Sequence, residues 1–360
     1  MSRMRILHVY KDFAPHAGGG GVARHIHGLA VLASRGGNAL RVAAPQAQGG
    51  NAHGYVAVQT GAGGLWRQVG WADVVHVHGA RVPVTGLAAA IAWLRGRRLV
   101  YTPHCYYDDD SGPGKRLRKW AWDLVVERLL LRGADRVVLL SGHWVDYLRR
   151  RGMAPRRPVV LPNAVLEAEL VASPDDAPRL EGAPALLSVG RLDAVKRLHD
   201  AVAVLAHPGM EAAVLHVVGR GPDRGRLEEV ARSLGVAARV RFYGFVADAS
   251  VAAMAAGADV FVMPSAVEGM PTVLIEMLLL GCPVVASDIP GNRSILEEAG
   301  LTGALYPPGD VAALATRVGQ QRQHRVDPSI VERVRTCFTW EGLRPRVLAL
   351  YGALVQGAAP

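Results

Sequence analysis

ADVFVMPSAVEGMPTVLIEMLLLGCPVVASDIPG, residues 258–291, reads as a β-α-β unit. The apolar run Val260–Met263, closed by Pro264, suits a strand buried on both faces of a sheet. A polar turn, Ser265 to Met270, follows, and Pro271 stands where a helix can begin because its missing N–H is not needed there. Thr272–Leu280 is the expected helix, Gly281 stops it, and Pro283–Ala286 is the second strand. Glu268 then falls at the carboxyl end of the first strand, and Glu276 lies about one and a half turns into the helix. Ligands of open parallel sheets bind outside the carboxyl ends of the strands, and a helix N-terminus offers unpaired N–H groups to phosphate. An anion flanked by two carboxylates makes sense when the rest of the ligand carries hydroxyls. A nucleotide sugar has that form: ribose hydroxyls, diphosphate, sugar hydroxyls.

Outward from this unit, 360 residues suggest two or three domains. Half the residues are apolar and 20% are charged, which fits large cores rather than disorder. Three scattered cysteines, Cys105, Cys282 and Cys337, form no CxxC pair and fit a reducing cytoplasm without a cysteine metal site. The longest uncharged apolar stretch, Val82–Leu94, is shorter than the roughly 20 residues that cross a bilayer. The start does not resemble a signal peptide, since Arg3 and Arg5 precede only the strand-sized run Ile6–Tyr10. Charge is uneven: residues 1–165 hold 23 Lys and Arg against 9 Asp and Glu, and residues 166–360 hold 18 against 22. An anionic partner for the first half follows. Nucleic acid is disfavoured for want of a stacking motif or a helix-turn-helix; anionic lipid or a lipid-linked glycan fits better.

Alternating strands and helices run through both halves. Strand Met4–Val9 leads to His16-Ala-Gly-Gly-Gly-Gly21 and a helix from Val22. Such a loop is either a phosphate cradle ahead of a helix N-terminus or plain flexible chain. It is not the GxGxxG dinucleotide fingerprint, which disfavours an oxidoreductase. After strand Ala39–Ala43, a glycine-rich connector reaches Gly64. In ADVVHVHG, His76 and His78 share one strand face; with no third ligand apparent nearby, core or strand-end histidines are expected rather than a metal pair. His104 follows the strand Leu99–Thr102, and Asp108–Asp110 reads as a solvated loop. The helix Lys115–Arg132, with Trp120 and Trp122 behind a basic start, is either a core helix with a charged end or a membrane-surface element. A second set of units starts at strand Ala185–Val189, followed by Gly190, Arg191 and Lys196. A bidentate guanidinium and a mobile ammonium suit a diphosphate.

The string PSxxEGMPTVLIEMLLxGCPVVASDIPG, with its Glu-x7-Glu spacing, resembles the retaining family 4 glycosyltransferases of the GT-B fold. VVLPNA at 159–164, TPH at 102–104 and GRLDAVKR at 190–197 resemble strings of the same family. The resemblance implies an α/β protein of two Rossmann-like, doubly wound parallel-sheet domains facing across a cleft. It places an acceptor-binding domain at 1–165, a nucleotide-sugar domain at 166–340 and a helix at 341–360 crossing back to the first. Catalytic roles fall to His104, Glu268, Arg191 and Lys196. Donor binding falls to Gly19, Gly20, Arg191, Lys196, Glu268, Gly269, Met270, Pro271, Thr272, Val273 and Glu276, with Glu276 on the ribose and Glu268 on sugar hydroxyls. Arg220 is a further phosphate or base neighbour.

The implied reaction moves a sugar from a UDP- or GDP-sugar to a glycan or lipid-linked glycan with retention, in cell-surface polysaccharide or glycolipid synthesis. No cofactor and no metal are expected. The expected location is cytoplasmic, with peripheral contact to an anionic inner membrane. A sugar-nucleotide epimerase on the same fold, or an inactive sugar- or nucleotide-binding subunit, is the alternative.

Overall fold

The computed structural model describes residues 3–14, 20–47, 53–106, 112–173, 177–322 and 325–356. The chain divides into two compact units, Met1–Ala164 with Trp340–Pro360, and Val165–Thr339.

The first unit is built on strands β1 (Arg5–Val9), β2 (Asp12–Phe13), β3 (Ala39–Ala44), β4 (Gln46–Ala47), β5 (Val56–Gln59), β6 (Val74–His78), β7 (Arg98–Thr102), β8 (Arg136–Leu139) and β9 (Pro158–Val160). Seven of them form one sheet in the order β5-β3-β1-β6-β7-β8-β9, and β2 pairs with β4. Every pairing in the large sheet is parallel, as expected of strands as continuously apolar as VVHVH, all five residues of which are buried. The order runs one way from β1 to β5 and the other from β6 to β9, so the switch point lies between β1 and β6.

The second unit carries β10 (Ala185–Val189), β11 (Val214–Val218), β12 (Val240–Gly244), β13 (Val260–Met263), β14 (Val284–Ser287) and β15 (Leu305–Tyr306). Its six strands lie in the order β12-β11-β10-β13-β14-β15, again all parallel, with the switch between β10 and β13. Its core gathers Leu186, Leu215, Val260 and Val262 from the sheet with Leu198, Val202, Leu227 and Leu314 from helices.

Several elements differ from the sequence reading. The connector between Ala44 and Gly64 holds β4, the edge strand β5 and the start of the helix Ala62–Trp71. β5 is half-exposed along its length, so it lacks the apolar run that marks its neighbours. Helices Leu198–Val204, Asp248–Gly257 and Pro328–Phe338 also escaped the reading. Thr302–Ala304 forms a 3-10 turn that leads into the two-residue strand β15. The basic helix begins at Pro113, passes through a π turn at Asp123–Glu127, and ends at Gly133.

In the first unit the segment from Trp340 onward packs on the early part of the chain. Trp340 is 1% exposed and lies so close over Gly28 that a Cβ there would sit 1.8 Å from the indole Nε1. Further on, the helix Arg344–Gln356 sets the buried Tyr351 hydroxyl 2.8 Å from His76 Nδ1. Among the described residues no helix is long and apolar enough to cross a membrane, and the three cysteines are free.

Candidate active site

In the second unit the switch point sets the loop after β10 beside the loop after β13. The β10 loop closes in a 3-10 turn, Ala194–Lys196, and turns back through Arg197, whose left-handed backbone (φ 48°) is tied by its guanidinium to Asp200 at 2.8 and 3.0 Å. The Ala266 N–H donates to the Val195 carbonyl at 2.8 Å, stitching the two loops together. On that frame the Lys196 ammonium donates to Glu268 Oε1 at 2.5 Å, with the two side chains 26% and 8% exposed. A charge-assisted bond this sheltered is stronger than a surface pair. Arg191 stands apart: its side chain is 71% exposed and its partner is Asp193, at 3.4 Å, rather than Glu268.

Glu268 leads into Gly269, the buried Met270 and Pro271, then Thr272 and the half-buried Val273. Pro271 is the N-cap of the helix Thr272–Leu279 rather than its first residue, and no side chain caps the first turn. Its N–H groups are therefore left to solvent or a ligand. Glu276 is the one charged residue of that helix and is only 8% exposed. The loop is braced from β14: the Ser287 hydroxyl donates to the Ser265 carbonyl at 2.5 Å, and the Asn292 amide donates to the Ser287 carbonyl at 2.9 Å. Gly219, at φ 134°, lets the β11 loop close on the β10 loop, since a Cβ there would meet the Gly190 carbonyl at 1.8 Å.

In the first unit Gly20 caps the helix Gly21–Arg35 after β1, and a Cβ on it would meet nothing within 4 Å. Gly19 and Asp108–Asp110 lie outside the described residues. His104 follows β7 with a left-handed backbone (φ 65°) and 8% exposure. It is not isolated. His8 on β1, His25 on the first helix and His76 and His78 on β6 are each fully buried around it. The expectation that the β6 histidines lack a nearby third ring is corrected here. Two triplets, His8–His76–His78 and His25–His78–His104, bring ring nitrogens within 4.8 Å of one another, and neither includes a carboxylate. Residues far apart in sequence meet because β1 and β6 are neighbours, which spacing along the chain does not reveal. Burial pushes His8 down to about 3 and His25 down to about 4, the latter partly offset by its bond to Asn163. His76, His78 and His104 are held well below the usual imidazole range, chiefly by burial.

Below the His104 loop lies Glu127, fully buried in the π turn. It accepts from the hydroxyls of Tyr101 (2.5 Å) and Tyr106 (2.6 Å) and from the Trp122 indole (3.3 Å). Burial raises its carboxyl, and the tyrosine bonds pull the other way. Asp123 beside it takes both arms of Arg81 at 2.8 and 2.6 Å. The sequence reading gave this network no role.

Two parallel α/β units, each carrying its polar residues at a switch point, define the GT-B class. The solved structures agree: sucrose-phosphate synthase from Thermosynechococcus elongatus superposes with a TM-score of 0.78 over 99% of this chain and 100% of that one, at 22% identity. The Anabaena protein HepE in complex with UDP and glucose gives 0.77 over 98% and 100%, at 20% identity. The family profile for glycosyl transferases group 1 matches residues 173–321, and the glycosyl transferase 4-like domain matches residues 14–164. Among curated relatives, 2-deoxystreptamine N-acetyl-D-glucosaminyltransferase of Streptomyces fradiae is 32% identical over 296 residues, 78% of this chain and 68% of that protein. The 2-deoxystreptamine glucosyltransferase of Streptomyces kanamyceticus is 33% identical over 262 residues, 69% of this chain and 67% of its own. The chain belongs to the group 1 glycosyltransferases of family 4 type, and it is a glycosyltransferase.

The neutral histidine core has a pH signature. Unfolded histidines take up protons below about 6.5, whereas the native ones resist until about 4 or lower. Stability from this source is therefore complete above about 6.5 and is lost as pH falls. Each such histidine contributes up to about 1.4 kcal/mol per pH unit in that window. Acid unfolding followed between pH 7 and 4.5 should show a falling midpoint with proton uptake on unfolding; a flat midpoint contradicts it.

Proposed function

We propose that this glycosyltransferase moves a sugar from a UDP- or GDP-sugar to a glycan or lipid-linked glycan with retention of anomeric configuration. The observation that carries the reading is the Lys196–Glu268 pair at the switch point of the second unit, with Glu276 in the helix that follows. A HepE structure with UDP-glucose supports the choice of donor class, since the fold is shared. In the proposed arrangement Lys196, Arg191 and the first-turn N–H groups receive the diphosphate, Glu276 accepts from ribose hydroxyls and Glu268 from the sugar.

With Glu268 already holding Lys196, neither carboxylate is left as a free nucleophile for double displacement. The acceptor hydroxyl attacks the anomeric carbon on the face the diphosphate leaves. The carbon–oxygen bond to phosphate breaks, and the acceptor proton passes to the departing diphosphate. Charge growing on that group is stabilised by donors already in place. The decisive experiment is incubation with nucleotide sugars and an acceptor panel that includes aminocyclitols, given the Streptomyces relatives, with mass and anomer analysis of products. An isomerised nucleotide sugar without a glycosylated product makes the protein an epimerase; nucleotide binding without any product makes it a binding subunit.

The surface of the basic helix supports docking on an anionic bilayer. Leu117 (64% exposed), Trp120 (61%), Val125 (56%) and Leu129 (56%) stand out beside the exposed Lys115, Arg116 and Arg118. Trp122, expected to join them, is half-buried and bonded to Glu127. One indole, not two, is available at the headgroups.

Three outcomes follow. Charge-assisted hydrogen bonds contribute about 1.5–3 kcal/mol, so Glu276→Gln should weaken the nucleotide roughly 10- to 100-fold by calorimetry; unchanged affinity removes Glu276 from the ribose. Turnover should survive dialysis against EDTA, because cationic side chains and N–H groups neutralise the diphosphate; activity lost with chelator and restored by magnesium or manganese refutes this. Co-sedimentation should require anionic vesicles, fall at high salt, and drop when Lys115, Arg116, Arg118 and Lys119 become Gln, each basic residue contributing about 1 kcal/mol near such a surface. Equal pelleting with neutral vesicles is the contrary result.

A further inference from the structure

Three of the buried histidines form a hydrogen-bonded line. His8 Nδ1 lies 3.0 Å from His78 Nε2, and His78 Nδ1 lies 3.1 Å from His104 Nε2. A neutral imidazole has one N–H and one lone pair. Once one ring in such a line is assigned, the others follow, and the line can run in two directions.

The ends decide between them. His8 Nε2 is sealed from solvent and has no hydrogen-bond partner. If protons ran from His104 towards His8, that nitrogen would carry a buried N–H with nothing to receive it. In the reverse direction it is a bare lone pair. Orphaned buried N–H groups are rarer in native proteins than under-used acceptors. At the other end, His104 Nδ1 has no protein partner among the described residues, is not sealed, and belongs to the one ring of the line with residual exposure.

His25 obeys the same rule. The Ala164 N–H donates to Asn163 Oδ1 at 3.1 Å, which fixes that oxygen as an acceptor, so His25 Nδ1 donates to it at 2.9 Å. His25 Nε2, also sealed and unpartnered, is then a lone pair. Its ring stands edge-on to His104 at 4.7 Å and leaves the line undisturbed.

We propose that His8 and His78 are positioning residues that hold His104 in its Nδ1–H tautomer, so that His104 offers a hydrogen-bond donor, not a base, at the carboxyl edge of the first sheet. His8 donates to His78, His78 donates to His104, and His104 keeps its proton on the outward nitrogen. His104 has a left-handed backbone (φ 65°), and its ring centroid lies 5.4 Å from that of His78. The tautomer rests on geometry alone. The role it gives His104, donating to an oxygen of an acceptor bound at that edge, rests on the transfer reaction proposed above. A donor that needs no protonation change suits a site whose leaving group collects the acceptor proton.

The test uses the full chain with nitrogen-15-labelled histidine. In the unsubstituted protein, NMR should show a pyrrole-type Nδ1 and a pyridine-type Nε2 at His104. In His78→Asn the amide NH2 takes the place of Nδ1–H and the His104 tautomer should persist. His78→Gln puts its amide at the Nε2 position, removes the donor to His104, and should release the tautomer. An Nε2–H at His104 in the unsubstituted protein overturns the relay, as does a His78→Gln variant whose His104 is unchanged. Titration with zinc alone is the third arm. Stoichiometric binding that strips the proton from His78 Nδ1 would make the His25–His78–His104 triplet a metal site and the relay wrong. For function, His78→Gln should lower kcat about 10-fold or more with little change in donor KM, and His78→Asn should restore most of it. Equal turnover of the two variants, with the tautomers confirmed, overturns the donor role of His104 and leaves the transfer reaction standing.

Discussion

An all-parallel ladder forces every strand of a sheet to finish on the same edge. Each connection must then return across a face, and everything polar that follows a strand gathers along one rim. Both units obey this, and both change winding direction once, between β1 and β6 and between β10 and β13. Loops separate at a switch point instead of crossing it, which leaves room for side chains. Lys196 and Glu268 come from the loops that follow the two strands flanking the second switch. His8 and His78 come from the two strands flanking the first. The chemistry of the molecule is therefore a consequence of winding order before it is a consequence of residue identity.

The two rims are built in opposite electrostatic styles. In the second unit a sheltered ion pair and an exposed guanidinium lie beside uncapped helix amides. In the first, neutral rings gather at the switch, and the fully buried carboxylate of Glu127 is covered by phenol and indole donors. Low dielectric strengthens such bonds and penalises any member left unmatched. That asymmetry explains why the histidine core tolerates lone-pair orphans at His8 and His25 while every ring N–H assigned in the line His8–His78 and in His25 finds an acceptor.

Much of the framework was legible in sequence because buried parallel strands announce themselves: VVHVH, ALLSV and VFVM fall where apolar runs place them. The switch-point loops were legible through Glu268, Pro271 and Gly281. What escaped had weak contrast or long range. β5 is half-exposed, and the helix Asp248–Gly257 is so rich in alanine that it shows no apolar stripe. The Lys196–Glu268 pair spans 72 positions of chain, and local spacing does not show it. His8 meets His78 across 70 positions, and no periodicity encodes such a meeting. Glu127 reads as one more charge in a basic helix until the π turn swings it inward.

The Trp340–Gly28 contact has a consequence for biosynthesis. The ring that fills the groove over Gly28 and the tyrosine that meets His76 are synthesised only after the whole of Val165–Thr339. The first half of the polypeptide emerges early, but its helix Gly21–Arg35 lacks its cover until residue 340 is free, and His76 lacks a bonding mate until residue 351 follows. The first unit is thus completed only after the second has been made. An emerging chain must hold an apolar groove and a buried histidine open while the whole of Val165–Thr339 is made and folds. A chain cut just before Trp340 would keep the whole of Val165–Thr339 and leave the first unit incomplete.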